Sequence, residues 1–126
     1  MTIDFQEHAR EFRQVFDVKS GTEDTLALAM ELVKEEHAEL RLAWFDYVRT
    51  NGKQKPATNF LKEMADLAYV LFQLAEERGW DLNEALRRVH ASNLSKLDDN
   101  GLPVRREDGK VMKGPNYQPP SLEDLV

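Results

Sequence analysis

Residues 26–44, LALAMELVKEEHAELRLAW, decide how this chain folds. Turned at 100° per residue with Glu35 at zero, Leu42, Leu28 and Leu32 fall at about −20°, 20° and 60°. Ala43, Ala29, Leu40, Leu26 and Trp44 continue the apolar arc from about 80° to 180°. An apolar face with this period belongs to a helix and not to a strand. Glu39 falls at about 40° and Glu36 at about 100°, so Glu35, Glu36 and Glu39 all lie within the apolar face. Lys34 and Arg41 sit on the opposite side.

Working outward, this helix is expected to run from about Thr22 to Thr50. Ser20 with Glu23 has capping-box spacing at its start, and Asn51-Gly52 stops it. Before it, Phe5, Ala9, Phe12 and Phe16 recur at helical spacing, which predicts a first helix from Asp4 to Phe16, broken by residues 19–22. After it, residues 53–57 read as a polar loop containing Pro56. A third helix is predicted over Asn59–Arg78, with Gly79 placed for a left-handed C-terminal cap. Asp81 with Glu84 opens a fourth, through about Leu97. Residues 101–126 hold four prolines and three glycines, so they form turns and extended chain, with a short hairpin closed by Asp108-Gly109 between Val104 and Val111. The fold class is all-α: a four-helix bundle with an irregular C-terminal tail, in one domain over 1–126, its helical core at about 4–97 and its tail at about 98–126. Phe12, Phe16 and Phe72 are expected in the core, and Trp44 in the core or at a subunit contact.

The 126 residues fit one domain, and 41% hydrophobic content supports a core. A net charge of −6 argues against binding nucleic acid polymers. With no cysteine, disulfides, thiolate zinc sites and thiol nucleophiles are excluded. No apolar run approaches the roughly 20 residues that span a bilayer, and the first ten residues lack a signal-peptide core. A soluble, cytoplasmic protein without membrane partners is expected.

The third helix carries the same anomaly as the second. With Glu63 at zero, Val70, Leu74, Leu67, Phe60 and Leu71 lie between about −20° and 80°. Glu63 stands in the middle of that stripe, and Asp66 at its edge near −60°. Five acids therefore point where leucines belong, and no basic residue on either stripe is an obvious partner. An unpaired charge there costs several kcal/mol per ion. A divalent cation removes the difficulty, and Mg²⁺ favours carboxylates, water and phosphate oxygens. Glu36 with Glu39 and Glu63 with Asp66 are each i,i+3. Two antiparallel helices can clamp one ion between two such pairs. The alternative is two ordinary solvated acidic faces.

Glu35-Glu36-x-x-Glu39, 23 residues, then Glu63-x-x-Asp66 resembles the EExxE…ExxD signature of the all-α NTP pyrophosphatase superfamily. That group includes MazG proteins, dimeric dUTPases, dCTP pyrophosphatases and phosphoribosyl-ATP pyrophosphatases. The run His90-Ala91-Ser92-Asn93-Leu94-Ser95-Lys96, with Asp108-Gly109-Lys110 and residues 113–117 (KGPNY), resembles the C-terminal signature of MazG-like members. The resemblance covers roughly residues 25–120. It implies Mg²⁺, with Mn²⁺ as a substitute, held by Glu36, Glu39, Glu63 and Asp66. Glu35 would assist a further metal or act as general base on the attacking water. The reaction would convert a nucleoside triphosphate, with a deoxynucleotide preferred, and water to the monophosphate and pyrophosphate in nucleotide-pool control.

Asn93 and Lys96 share a face at i,i+3 and suit sugar and phosphate oxygens, although a lysine near a helix C-terminus also serves the dipole. Lys110 and Lys113 would close over phosphates, or remain solvated. Tyr117 would stack on a base, or pack the tail down. His37 is expected at the surface, and His90 as a structural histidine. A homodimer or homotetramer is implied, with the site near the subunit interface. A di-iron carboxylate bundle needs Glu-x-x-His motifs, and none of His8, His37 or His90 has a glutamate three residues before it. Two rivals remain: a non-catalytic helical module binding nucleotide or Mg²⁺, and a hydrolase of a signalling nucleotide such as ppGpp.

Overall fold

The long helix is capped by Thr22 and not by Ser20. In the computed structural model, which describes residues 4–126, the Thr22 hydroxyl accepts from the Thr25 N–H at 3.0 Å, and Thr25 Oγ1 accepts from the Thr22 N–H at 3.0 Å. A threonine at the fourth place completes this capping box, so Glu23 is not required for it. The helices are α1 (Phe5–Val15), α2 (Glu23–Arg49), α3 (Gln54–Arg78) and α4 (Leu82–Leu94). Strands β1 (Val104–Arg105) and β2 (Val111–Met112) follow, then a 3-10 turn at Glu123–Leu125. The architecture is all-α with one small antiparallel hairpin pairing Val104 with Met112 and Arg105 with Val111. The chain divides into two compact units, Met1–Trp80 and Asp81–Val126.

In the first unit, α2 and α3 pack along each other, and the short turn between them makes the pair antiparallel. Asn51 and Gly52 take left-handed φ values of 55° and 75° there, conformations that asparagine and glycine tolerate best. α3 begins at Gln54, so residues 54–57 of the expected polar loop are already helix. Pro56 allows this because the first turn of a helix has no intrahelical use for its missing N–H. At the other end Gly79 adopts φ 72°. Its N–H donates to the Glu76 carbonyl at 3.1 Å, and the Trp80 N–H to the Ala75 carbonyl at 2.9 Å. These two bonds form a Schellman closure, as the glycine predicted.

α1 lies on α3 through one buried small residue and a polar framework. Asp4 caps α1 by accepting from the Gln6 N–H at 2.9 Å. Ala9 is buried, and its carbonyl accepts from Gln73 Nε2 at 3.2 Å. Gln6 Nε2 and Arg10 Nε donate to the two oxygens of Glu76 at 2.6 and 3.1 Å. Arg13 donates to Gln73 Oε1 at 3.1 Å.

The buried apolar residues are small: Ala9, Ala29, Ala43 and Ala75. Phe12 and Phe16, expected in the core, are exposed in the single chain and stack on each other at 4.6 Å between ring centres. Phe72 is only half-buried. Trp44 is also exposed and lies 4.9 Å from the Phe45 ring. On α2 the arc through Ala29 and Ala43 turns inward, while Leu28 and Leu42 remain 58% and 67% exposed.

In the second unit, Asp81 caps α4 by accepting from the Glu84 N–H at 2.9 Å. The helix ends at Leu94, short of the expected Leu97. Ser92 Oγ donates to the Gln118 carbonyl at 2.7 Å, and the Gln118 N–H donates to Ser95 Oγ at 2.9 Å. Arg88 holds Asp124 through its two terminal guanidinium nitrogens, at 2.6 and 3.0 Å. The tail is thus tied back onto α4 at three points. Among the described residues, no helix is long and apolar enough to cross a membrane.

Candidate metal centre

The i,i+3 spacing puts Glu36 and Glu39 on one side of α2, and Glu63 and Asp66 on one side of α3. The hairpin brings the pairs together: one carboxylate oxygen from each of the four lies within 4.8 Å of the others. Glu63 is 7% exposed. Glu36 and Asp66 are half-buried, and Glu39 is exposed. The cluster therefore has a closed floor at Glu63 and an open side at Glu39. Glu35 is exposed and stands outside this group.

The electrostatics are unfavourable for the protein alone. Glu36 Oε2 and Glu63 Oε2 are buried with no hydrogen-bond partner among the described residues. Burial raises the pKa of Glu36 from its ordinary value, and its hydrogen bond and charge contact with Glu39, then the charges of Asp66 and Glu63, raise it further. Four acids in one place would share protons or repel. Opposite oxygens around Mg²⁺ stand about 4.2 Å apart, at roughly 2.1 Å from the ion. The four oxygens already lie within nearly that compass, all are hard donors, and two lack any other partner. The residues present fit a divalent cation.

A basic partner exists where none was expected. Lys62 Nζ lies 2.8 Å from Asp66 Oδ2 and 3.4 Å from Glu63 Oε1. Its hydrogen bond to Asp66 raises the lysine pKa above its ordinary value, helped by the Asp66 charge and by Glu63. Lys62 is off the apolar stripe, which hid it, but its i,i+4 relation to Asp66 is a standard helix pairing and signals the contact.

The five other candidate residues belong to the second unit. Asn93 is exposed on the last turn of α4. Lys96 lies beyond the helix end, its N–H donating to the Asn93 carbonyl at 3.2 Å. Lys113 Nζ sits 4.8 Å from the centre of the Tyr117 ring, a cation–π contact. Gly114 is what lets these residues approach α4: a Cβ there would stand 2.5 Å from the Lys96 carbonyl oxygen and 2.7 Å from that of Leu97. Asn116 Nδ2 donates to Asp99 Oδ1 at 2.6 Å, bracing the same loop. Lys110 is exposed beside the hairpin turn.

A helical hairpin that gathers acids from both of its helices at one point defines a helical protein with an oxygen-donor site. The phosphoribosyl-ATP pyrophosphohydrolase family profile matches residues 4–93, and the chain belongs to that family. The family lies within the MazG-like all-α NTP pyrophosphohydrolase superfamily. The protein is therefore a pyrophosphohydrolase acting on a nucleotide, a hydrolase of phosphoric anhydride bonds. No curated protein matches the chain.

Proposed function

We propose that the protein is a Mg²⁺-dependent nucleoside triphosphate pyrophosphohydrolase, with deoxynucleoside triphosphates preferred, serving nucleotide-pool control. The observation that carries the metal dependence is the pair of buried, unpartnered oxygens on Glu36 and Glu63. Glu36, Glu39, Glu63 and Asp66 hold the cation. When bound, the cation supplies charge neutralisation on the phosphates and a water of lowered pKa. Glu35 takes a proton from the attacking water. It stands outside the four-carboxylate group, and a carboxylate free of metal is the better base. Asn93, Lys96, Lys110, Lys113 and Tyr117 bind substrate. The ammonium groups face phosphate oxygens, and the Tyr117 ring stacks on the base or supports Lys113.

A nucleoside triphosphate without a phosphoribosyl group on its base is preferred over phosphoribosyl-ATP because the family match stops at residue 93. The segment beyond it carries the lysines and Tyr117 in the arrangement that resembles MazG-like members. Phosphoribosyl-ATP is the second reading, favoured by the family match itself; the same anhydride is cut in either case.

The working form is a homodimer or homotetramer. The apolar pattern of α2 is broad and two-sided, which suits a helix buried on more than one side. Leu28, Leu32, Leu42 and Phe45 are exposed on it, and a second copy of the chain would cover them. Burying each such side chain is worth about 1.5–3 kcal/mol.

The test is a pyrophosphate-release panel of the common NTPs and dNTPs, dUTP, phosphoribosyl-ATP and ppGpp with Mg²⁺. Release from one or a few triphosphates, lost in Glu36→Gln, is the expected result. Turnover of phosphoribosyl-ATP alone selects the second reading. No release from any compound leaves a binding module and overturns the proposal.

A further inference from the structure

Lys62 faces two chemistries at once. On one side its ammonium spans Asp66 and Glu63, at 2.8 and 3.4 Å. Among the described residues Glu36 and Glu39 have no such cation, so a single positive charge covers only the α3 half of the four-acid cluster. On the other side Lys62 borders an open groove of about 560 Å³. Gln54, Lys55, Thr58 and Asn59 line the rest of it. No carboxylate lines this groove; every lining side chain carries a hydrogen-bond donor. Lys55 and Lys62 are two turns apart on α3, about 10.5 Å along the axis. The groove follows the first turns of the helix, whose N-terminus has no side-chain cap and attracts negative charge.

The Lys62 side chain is 62% exposed. Little packing holds it, and its flexible stem lets the ammonium move between carboxylate and groove. Its present place is one a divalent cation would claim, because both would use Asp66 and Glu63 oxygens and the doubly charged ion binds them more strongly.

We propose that Lys62 is an exchangeable counter-ion, which neutralises Glu63 and Asp66 until a divalent cation takes their oxygens and then turns into the groove, where with Lys55 it holds the pyrophosphate end of the nucleotide. This rests on the metal reading given under the proposed function. It makes the acidic cluster tolerable before loading, and it couples metal entry to the release of a phosphate ligand. Lys62 and Lys55 are positioning residues for the leaving group and take no part in activating water.

The experiment uses the full chain and reads binding. Mn²⁺ is titrated calorimetrically into wild type, Lys62→Gln and Lys55→Gln. Inorganic pyrophosphate is then titrated into each in saturating Mg²⁺. Removing the competing ammonium is expected to tighten Mn²⁺ binding in Lys62→Gln roughly threefold, the scale of an exposed ion pair. Lys55→Gln is expected to keep the wild-type Mn²⁺ affinity. Both variants are expected to bind pyrophosphate roughly tenfold more weakly, the scale of a lost charge-assisted hydrogen bond. Unchanged or weaker Mn²⁺ binding in Lys62→Gln overturns the exchange while the metal reading stands. Unchanged pyrophosphate affinity in both variants overturns the groove. A wild-type chain that binds no Mn²⁺ overturns this proposal and the metal reading together.

Discussion

Glu63 and Glu77 sit on the same helix, on faces about 40° apart, and are almost equally buried, at 7% and 3% exposure. Their surroundings differ completely. Glu77 is met by Arg78 at 2.7 Å, by Arg13 at 3.7 Å and by the Gly21 N–H at 3.1 Å. Burial works against its charged form, yet Arg78, Thr25 and Gly21 together hold its pKa below the usual carboxylate value. Glu63 has an exposed lysine at 3.4 Å on one oxygen and, among the described residues, nothing on the other. Burial alone therefore does not mark a site on α3. What separates the two acids is whether the protein supplies their partners. Glu77 ties α1, the start of α2 and the end of α3 together; Glu63 is left for something the chain does not contain.

The largest expected effect lies on the structural side of this comparison. Glu77→Ala leaves Arg13 and Arg78 without their shared acid, and it should cost about 3–5 kcal/mol of stability, read from urea denaturation. Glu63→Gln, measured without metal, should be neutral or slightly stabilising, because it removes a charge with no adequate partner. A large loss in Glu63→Gln would show that Lys62 satisfies Glu63 after all and would erase the contrast.

Metal sharpens it next. At a Mg²⁺ or Mn²⁺ concentration one hundred times the dissociation constant, the folded state should gain about 2.7 kcal/mol, seen as a rise in Tm. Glu36→Gln should show little of that gain, whereas Glu77→Gln should keep it. Equal shifts in all three proteins would place the metal elsewhere.

The smallest effect is on pH. The pKa of Glu77 is lowered in the folded chain from 4.5. Its contribution is thus complete above pH 4.5 and is lost as pH falls through the folded value. The stability gap between wild type and Glu77→Gln should be widest near neutrality and should narrow below about pH 4.5. A gap that widened with acid would contradict the partner assignment.

Much of this was legible in the sequence. The helical period of residues 26–44, the glycine at 79 and the paired i,i+3 acids are local signals, and local signals survive translation into structure. The start of α2 near Thr22 is legible, but its capping box uses Thr22 with Thr25 in place of Ser20 with Glu23, and α3 starts at Gln54 because a proline is tolerated in a first turn. Phe12 and Phe16 are exposed where a core place is expected, and the exposed Trp44 leaves only the subunit-contact alternative of its reading open. Periodicity reports which residues share a face, and says nothing of whether one chain has enough surface to cover it. Lys62 lies one step off the apolar stripe, so the stripe alone does not reveal it as a partner of Asp66. Residues 93–117 carry resemblance and little periodicity; their roles depend on contacts with substrate.

The central claim is that the oxygens of Glu63 and its neighbours exist to hold a catalytic divalent cation. Pyrophosphate release measured against Mg²⁺ concentration, in wild type and in Glu63→Gln, tests it most directly. Wild type should show no turnover in chelator and a saturable rise with Mg²⁺, and Glu63→Gln should be slower by at least about 100-fold at matched Mg²⁺. Full turnover in chelator, or a wild-type Mg²⁺ response in Glu63→Gln, would contradict it.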